Sequence, residues 1–179
     1  MLFAGLAIAC NSKVNKSNAL QNEIANQSVK STAINSPCDL ISTEEVKRMF
    51  ATAEYPIDVK DVVYTYPTCI FKWEDGKITT SLSFGGQEIK SNKPSEVLVV
   101  MVKQANEAMF KQSTSVYKQP QDISNLGAMA IWDARMSQLT FLSNKYMFHV
   151  HVKVSNNGIE NKEKAIEVSK LIIGKIKNI

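Results

Sequence analysis

Apolar and polar residues alternate along two neighbouring stretches of the chain, Thr68 to Trp73 and Ile78 to Phe84. A period of two is typical of β-strands with one buried face. Glu74-Asp75-Gly76-Lys77 lies between the stretches, and its Asp-Gly pair favours a tight turn because glycine tolerates a positive φ. We therefore predict a β-hairpin with its turn at 74–77, and Gly85-Gly86 ends the pair of strands.

The stretch after Pro94 has apolar residues at helical spacing, namely Val97, Leu98, Met101, Val102, Ala105, Ala108 and Met109. A strand over Val97 to Val102 is the alternative. We predict a helix with Ser95 near its cap, because the pattern continues to Phe110 and exceeds the usual length of a strand.

Two more helices are predicted near the ends of this region. Ser42 and Glu45 have the spacing of a capping box, in which each side chain accepts a hydrogen bond from the other residue's amide, and a short helix follows to about Ala53. Residues 161–177 form a closing helix with one apolar stripe, made of Ala165, Val168, Ile172 and Ile176.

Three further strands are predicted at Ala128 to Trp132, Met136 to Leu142 and Tyr146 to Val154, joined as a meander. Runs of strands flanked by helices are typical of the α+β class. We expect a single, mainly antiparallel sheet of about five strands with packed helices, including one at the C-terminus.

The N-terminal segment has a different character. Residues 1–9 are apolar and end in small side chains, and Cys10 and a polar run follow directly. This segment resembles a bacterial lipoprotein signal, which implies that the Cys10 thiol carries diacylglycerol. No basic residue precedes Cys10, which leaves open a true start upstream of Met1. A buried N-terminal strand with a core cysteine is the alternative.

Residues 10–36 are predicted to be a flexible tether that begins at the lipidated cysteine. Asn, Ser, Lys and Gln dominate this stretch, and such a composition buries too little surface to offset its chain entropy. One helix over Ala19 to Val29 is the alternative. A single globular domain then spans 37–179.

The charge balance is only weakly basic. Lys and Arg number 21 against 17 Asp and Glu, with a formal net charge of +4, and the basic residues form no dense stripe. Nucleic-acid binding is therefore not expected, since it needs clustered Lys and Arg. Beyond the first residues, no stretch approaches the ~20 apolar residues of a membrane-spanning helix.

Cys38 and Cys69 are the two thiols that remain once Cys10 is lipidated. Export to an oxidising compartment permits them to pair. The resulting disulfide would close a loop of 32 residues, worth about 3.7 kcal/mol in the chain-entropy model. Two separate buried thiols are the alternative.

The order of motifs in 37–179 resembles that of small bacterial cell-envelope lipoproteins of unknown function. The resemblance rests on the segments Pro37 to Glu45, Cys69 to Trp73 and Ile123 to Trp132, followed by a hairpin and a last helix. It implies a Cys38–Cys69 disulfide and a compact domain of sheet and helices, and it implies no activity. The expected Leu-Gly-Asp turn has Ala128 in place of Asp.

Two pairs of residues are candidate site residues. His149 and His151 lie two apart on a predicted strand and therefore on one face. They could share a metal with a third ligand, or form a Cys2His2 zinc site together with Cys38 and Cys69. The alternative is that both belong to a polar face of the sheet. Tyr64 and Tyr66, just before Pro67, are the aromatic residues most expected to be exposed for ligand binding.

These observations predict location better than chemistry. We expect a lipoprotein of the bacterial cell envelope, periplasmic or at the outer surface, that is held to the membrane by its N-terminal lipid. We expect it to bind an unidentified envelope protein or small ligand, and we expect no catalytic residue and no cofactor. The alternative is a metal-handling protein or hydrolase that uses His149 and His151.

Overall fold

A computed structural model describes residues 33–177 of the chain. They form one antiparallel sheet with three α-helices, the last of them C-terminal, so the α+β prediction is confirmed. The signal segment, Cys10 and most of the tether lie outside the described residues, and the predictions about them stay predictions.

The helices are α1 Thr43–Phe50, α2 Glu107–Thr114 and α3 Gly158–Ile176. The strands are β1 Asp58–Val63, β2 Pro67–Phe84, β3 Gln87–Lys103, β4 Pro120–Asp122, β5 Met129–Asp133, β6 Gln138–Ser143 and β7 Tyr146–Lys153. Their order across the sheet is β1-β2-β3-β7-β6-β5-β4. The sheet has seven strands and not about five, because β2 joins two predicted strands while β1, β3 and β4 were not predicted.

The helix predicted after Pro94 is wrong, since these residues belong to the central strand β3 and α2 begins only at Glu107. From Glu96 to Val100, β3 pairs with β2 on one side and with β7 on the other. A spacing of four residues returns to the same side of a strand as well as of a helix, so Val97 and Met101 fit both patterns. Pairing with both β2 and β7 makes this stretch a strand.

The hairpin turn predicted at 74–77 is also wrong, because β2 continues through it with a bulge. The carboxylate of Asp75 accepts hydrogen bonds from Trp73 Nε1 at 2.8 Å, Ser95 Oγ at 2.8 Å and the Lys77 amide at 3.2 Å. The bond from Ser95 attaches the bulge, residues 74–77, to β3. The chain reverses at Gly85-Gly86 instead, where both glycines have a positive φ.

One face of the sheet, here the packed face, carries the main core. Alternate residues of the strands point into it, among them Cys69, Phe71, Trp73, Val97, Val99, Met101, Phe141, Phe148 and Val150. They pack against α1, α3 and the segment before α1. The predicted capping box of Ser42 and Glu45 is present, and Lys175 Nζ lies 2.7 Å from Glu45 Oε2, joining α3 to α1.

The predicted Cys38–Cys69 disulfide is present, with Cα atoms 5.2 Å apart. It attaches the short 3₁₀ turn Pro37–Asp39 to β2. Ile34 is already buried, and Ser36 donates a hydrogen bond to Asp61 of β1. The packed part of the chain thus includes residues just before Pro37.

Candidate functional site

The face of the sheet opposite the core, here the open face, carries both predicted histidines. Along β7, Phe148, Val150 and Val152 are fully buried in the core, so His149 and His151 point to the other side. The helix α2 covers one end of this face through Phe110, which packs near Leu142 and Met147. Charged and polar groups lie elsewhere on this face, beside the apolar residues Ile70, Leu98 and Val100.

His151 belongs to a charged group that spans three strands. Its Nδ1 donates a hydrogen bond to the Met136 carbonyl at 2.9 Å, and its Nε2 lies 3.9 Å from Glu96 Oε1. The other oxygen of Glu96 lies 2.7 Å from Lys72 Nζ, and this hydrogen bond raises the pKa of Lys72. Glu96 therefore lies between the lysine and the imidazole, and it is an ion-pair partner of His151 only when the ring is protonated.

A cavity of about 350 Å³ opens beside this group. We call it the basic cavity. Its lining consists of Lys72, Lys93, Lys153, His151, Glu96, Ile78, Thr80, Pro94 and Asn156. Three ammonium groups face a single carboxylate, so the basic cavity carries two excess positive charges even with His151 neutral.

His149 lies in a separate hydrogen-bond network. Its Nδ1 is 2.7 Å from Thr140 Oγ1, and the Thr140 hydroxyl also contacts the hydroxyl of Tyr117. Gln138 Nε2 donates to the Tyr117 oxygen at 2.7 Å. A consistent set of donors runs from Gln138 through Tyr117 and Thr140 to Nδ1, which assigns the ring proton to Nε2. Burial lowers the pKa of His149 to about 4, so the ring is neutral at neutral pH.

A second cavity, of about 290 Å³, lies between α2 and the open face. Its lining consists of Tyr66, Val102, Met109, Gln112, Ser113, Met147 and His149. Of the two tyrosines predicted to bind a ligand, Tyr66 lines this cavity and is 43% exposed, whereas Tyr64 is 71% exposed and lines none of the described cavities. The structure brings Tyr66 close to His149 but not to His151.

The two histidines have different neighbours. Within residues 33–177, no three side chains of His, Cys, Asp or Glu come together in a way that would hold a metal ion. The disulfide occupies both Cys38 and Cys69, so the Cys2His2 arrangement is excluded. A role of the histidines in metal handling or hydrolysis stays a prediction.

A larger cavity, of about 670 Å³, lies elsewhere, between the turn Asn125 to Ala128 and the end of α3. Gly127 has a φ of +68°, and a Cβ at this position would collide with the carbonyl oxygen of Leu142. The Leu-Gly turn therefore has a steric role. Lys170 and Lys177 are the charged residues in this lining.

The basic cavity contains residues that were not predicted from the sequence. Glu96 was not predicted as a site residue because the stretch after Pro94 was expected to form a helix. Lys72 alternates with Phe71 and Trp73, and this alternation already placed it away from the core. The pairing of Lys72 with Glu96 and of Leu98 with His151 brings these residues together across three strands.

Comparison of the chain with protein-family models, with curated proteins and with solved structures gives no match in any of the three. None of the helices within residues 33–177 has both the length and the apolar character needed to cross a bilayer.

Proposed function

We propose that this chain is a binding protein of the bacterial cell envelope, tethered to the membrane through Cys10, that takes an anionic ligand in the basic cavity without chemical turnover. The ligand carries a carboxylate or phosphate group, either as a small molecule or as part of an envelope partner. The observation that carries the proposal is the grouping of Lys72, Lys93 and Lys153 around a single carboxylate.

The charges in the basic cavity favour binding of an anion. Glu96 is shared by Lys72 and His151, whereas no carboxylate lies within ion-pair distance of Lys93 or Lys153 among the described residues. Their ammonium groups are free to donate charge-assisted hydrogen bonds to a ligand. Pro94, which is half-buried, adds an apolar surface that an organic anion can contact.

The location in the envelope is supported by two features. The apolar segment that ends at Cys10 has the form of a lipoprotein signal. The Cys38–Cys69 disulfide is typical of proteins that work in an oxidising compartment.

Calorimetric titration of the full chain with inorganic phosphate and with succinate tests the proposal, at constant ionic strength kept with NaCl. The variants Lys93→Gln and Lys153→Gln each remove one ammonium group from the basic cavity. Each is expected to weaken binding about tenfold, because a hydrogen bond from a charged group contributes about 1.5 kcal/mol. Lys103→Gln is the matched control, an exposed lysine of β3 outside this lining.

Equal affinities for the wild type and both cavity variants would contradict the proposal, as would no binding of either anion. A parallel titration with zinc separates the metal alternative. A tight, stoichiometric zinc signal that disappears in His151→Ala, without binding of either anion, would replace the proposed function with metal handling.

A further inference from the structure

The distal parts of β2 and β3 form a two-stranded ribbon that extends beyond the sheet. Seven residue pairs, from Ile78 with Lys93 to Phe84 with Gln87, join the two strands. β1 pairs with β2 only as far as Lys72, and β7 pairs with β3 only as far as Glu96. At ~3.3 Å per residue, this ribbon, residues 78–93, reaches roughly 20 Å past its neighbours.

Three large apolar side chains are exposed at the end of the ribbon. Phe84 is 79%, Leu82 67% and Ile89 57% exposed. Leu82 is paired with Ile89, and Phe84 lies two residues further along the same strand, so all three share one face. We call these three residues the apolar tip. Exposed apolar groups at one protruding point mark an interaction surface.

The charged residues of the ribbon are Lys90, Lys93 and one glutamate, Glu88. Lys90 is paired with Ser81, about 10 Å from the turn at ~3.3 Å per residue, so its side chain lies on the face opposite the apolar tip. There its Nζ is 3.9 Å from Glu88 Oε2. Lys93, at the base of the ribbon, shares the face of the apolar tip and also lines the basic cavity. An apolar end followed by charged groups and a lysine at the base matches the order of layers in an anionic bilayer, in which acyl chains lie beneath phosphate headgroups.

We propose that the apolar tip inserts into the interface of an anionic lipid bilayer, with the charged residues of the ribbon at the level of the headgroups. The proposal uses the ribbon's own side chains and does not depend on a lipid at Cys10 or on a ligand in the basic cavity. The small size of the tip favours a membrane over a protein partner. Three such side chains expose on the order of 400 Å², about half of the roughly 800 Å² that each partner gives to a stable protein interface.

Vesicle co-sedimentation of the full chain tests the proposal. Vesicles contain phosphatidylcholine alone or mixed with phosphatidylglycerol. Phe84→Ser and Leu82→Ser are each expected to lower partitioning into the mixed vesicles about tenfold, because each removes most of a large apolar side chain from the inserted surface. The apolar segment 1–9 is present in every variant, so differences between variants report on the tip.

Val63→Ser is the matched control. Val63 is 73% exposed and Phe84 is 79% exposed, but Val63 lies beside Pro67 at the opposite end of β2. Its replacement is expected to leave partitioning unchanged. Equal thermal midpoints of the variants and the wild type check that these exposed substitutions leave the fold intact.

Depth-dependent quenching by brominated lipids gives a second readout. The native Trp73 and Trp132 are 2% and 1% exposed, so they lie out of reach of the lipid. Phe84→Trp is expected to be quenched in mixed vesicles, and Val63→Trp is not. This result is independent of anion binding in the basic cavity.

Three outcomes would overturn the proposal: wild-type partitioning of Phe84→Ser and Leu82→Ser, no quenching of Phe84→Trp, or equal loss of binding in Val63→Ser. Sedimentation velocity without vesicles separates the protein alternative. Self-association that Phe84→Ser abolishes, with vesicle binding unchanged, would make the tip a contact between copies of the chain and would also overturn the membrane proposal.

Discussion

At the scale of single residues, His149 shows how burial sets the charge of a side chain. The ring accepts a hydrogen bond from Thr140 and lies between a strand face and α2. Its burial removes the water that would solvate an imidazolium ion, and this cause lowers its pKa from 6.5 to about 4. His149 is thus a neutral polar group of the open face, two residues away from the charged group at His151.

This shift predicts how stability depends on pH. Between about pH 6.5 and about pH 4 the unfolded ring binds a proton that the folded ring does not, so the free energy of unfolding falls as the pH is lowered. The loss is expected to reach about 3 kcal/mol for a full shift of this size. Urea unfolding at a series of pH values measures it.

The variant His149→Gln is expected to show a flatter dependence in this interval, because glutamine does not titrate. His151→Gln is the matched variant, since it removes the other imidazole of the open face and leaves His149 in place. Parallel curves for the wild type and His149→Gln between about pH 6.5 and about pH 4 would show that the ring is not shifted in the folded protein.

At the scale of elements, the disulfide holds the start of the packed chain against the sheet. Cys69 is fully buried in β2, and Cys38 lies in the turn before α1. Ser36 and Asp61 add a hydrogen bond of 2.6 Å between the same segment and β1. Residues 36–38 are therefore attached to both β1 and β2.

Removing the disulfide is expected to lower the free energy of unfolding by about 3.7 kcal/mol, the loop-closure value for a loop of this length. The double variant Cys38→Ala with Cys69→Ala measures this in urea. The double variant and the reference protein with the disulfide both carry Cys10→Ala, so that no other disulfide forms. A loss below about 1 kcal/mol would show that the unfolded chain gains little freedom when the link is removed.

At the scale of the whole molecule, the ribbon contributes no residue to the main core of the packed sheet. The main core includes Trp73 and Val97 but no residue between 78 and 93. The residues beyond Thr79 and Asn92 on the ribbon are exposed or half-buried. Asn156 holds the base of the ribbon through Thr79, with its Nδ2 3.0 Å from Thr79 Oγ1.

A shortened chain tests this separation. Deleting 80–84 and 87–91 joins the paired residues Thr79 and Asn92 through Gly85-Gly86. The thermal midpoint is expected to change by less than about 2 °C, because the deleted residues contribute little buried surface. A fall of more than about 5 °C would show that the ribbon supports the core. Vesicle binding through the apolar tip is lost in the same chain.

Local patterns in the sequence were enough to predict several elements. The capping box at Ser42, the meander of β5, β6 and β7, and the closing helix all depend on contacts between residues close in sequence. The Cys38–Cys69 pair followed from the small number of thiols. The shared face of His149 and His151 followed from the period of a strand.

Tertiary structure decided the rest, because it depended on pairing between distant strands. Val97 and Met101 fit a helix or a strand equally well until β2 and β7 paired with them on both sides. Asp75 became part of a bulge through Ser95, which is 20 residues away. Lys72, Glu96 and His151 meet only across three strands, so the basic cavity has no signature in any one segment of the chain.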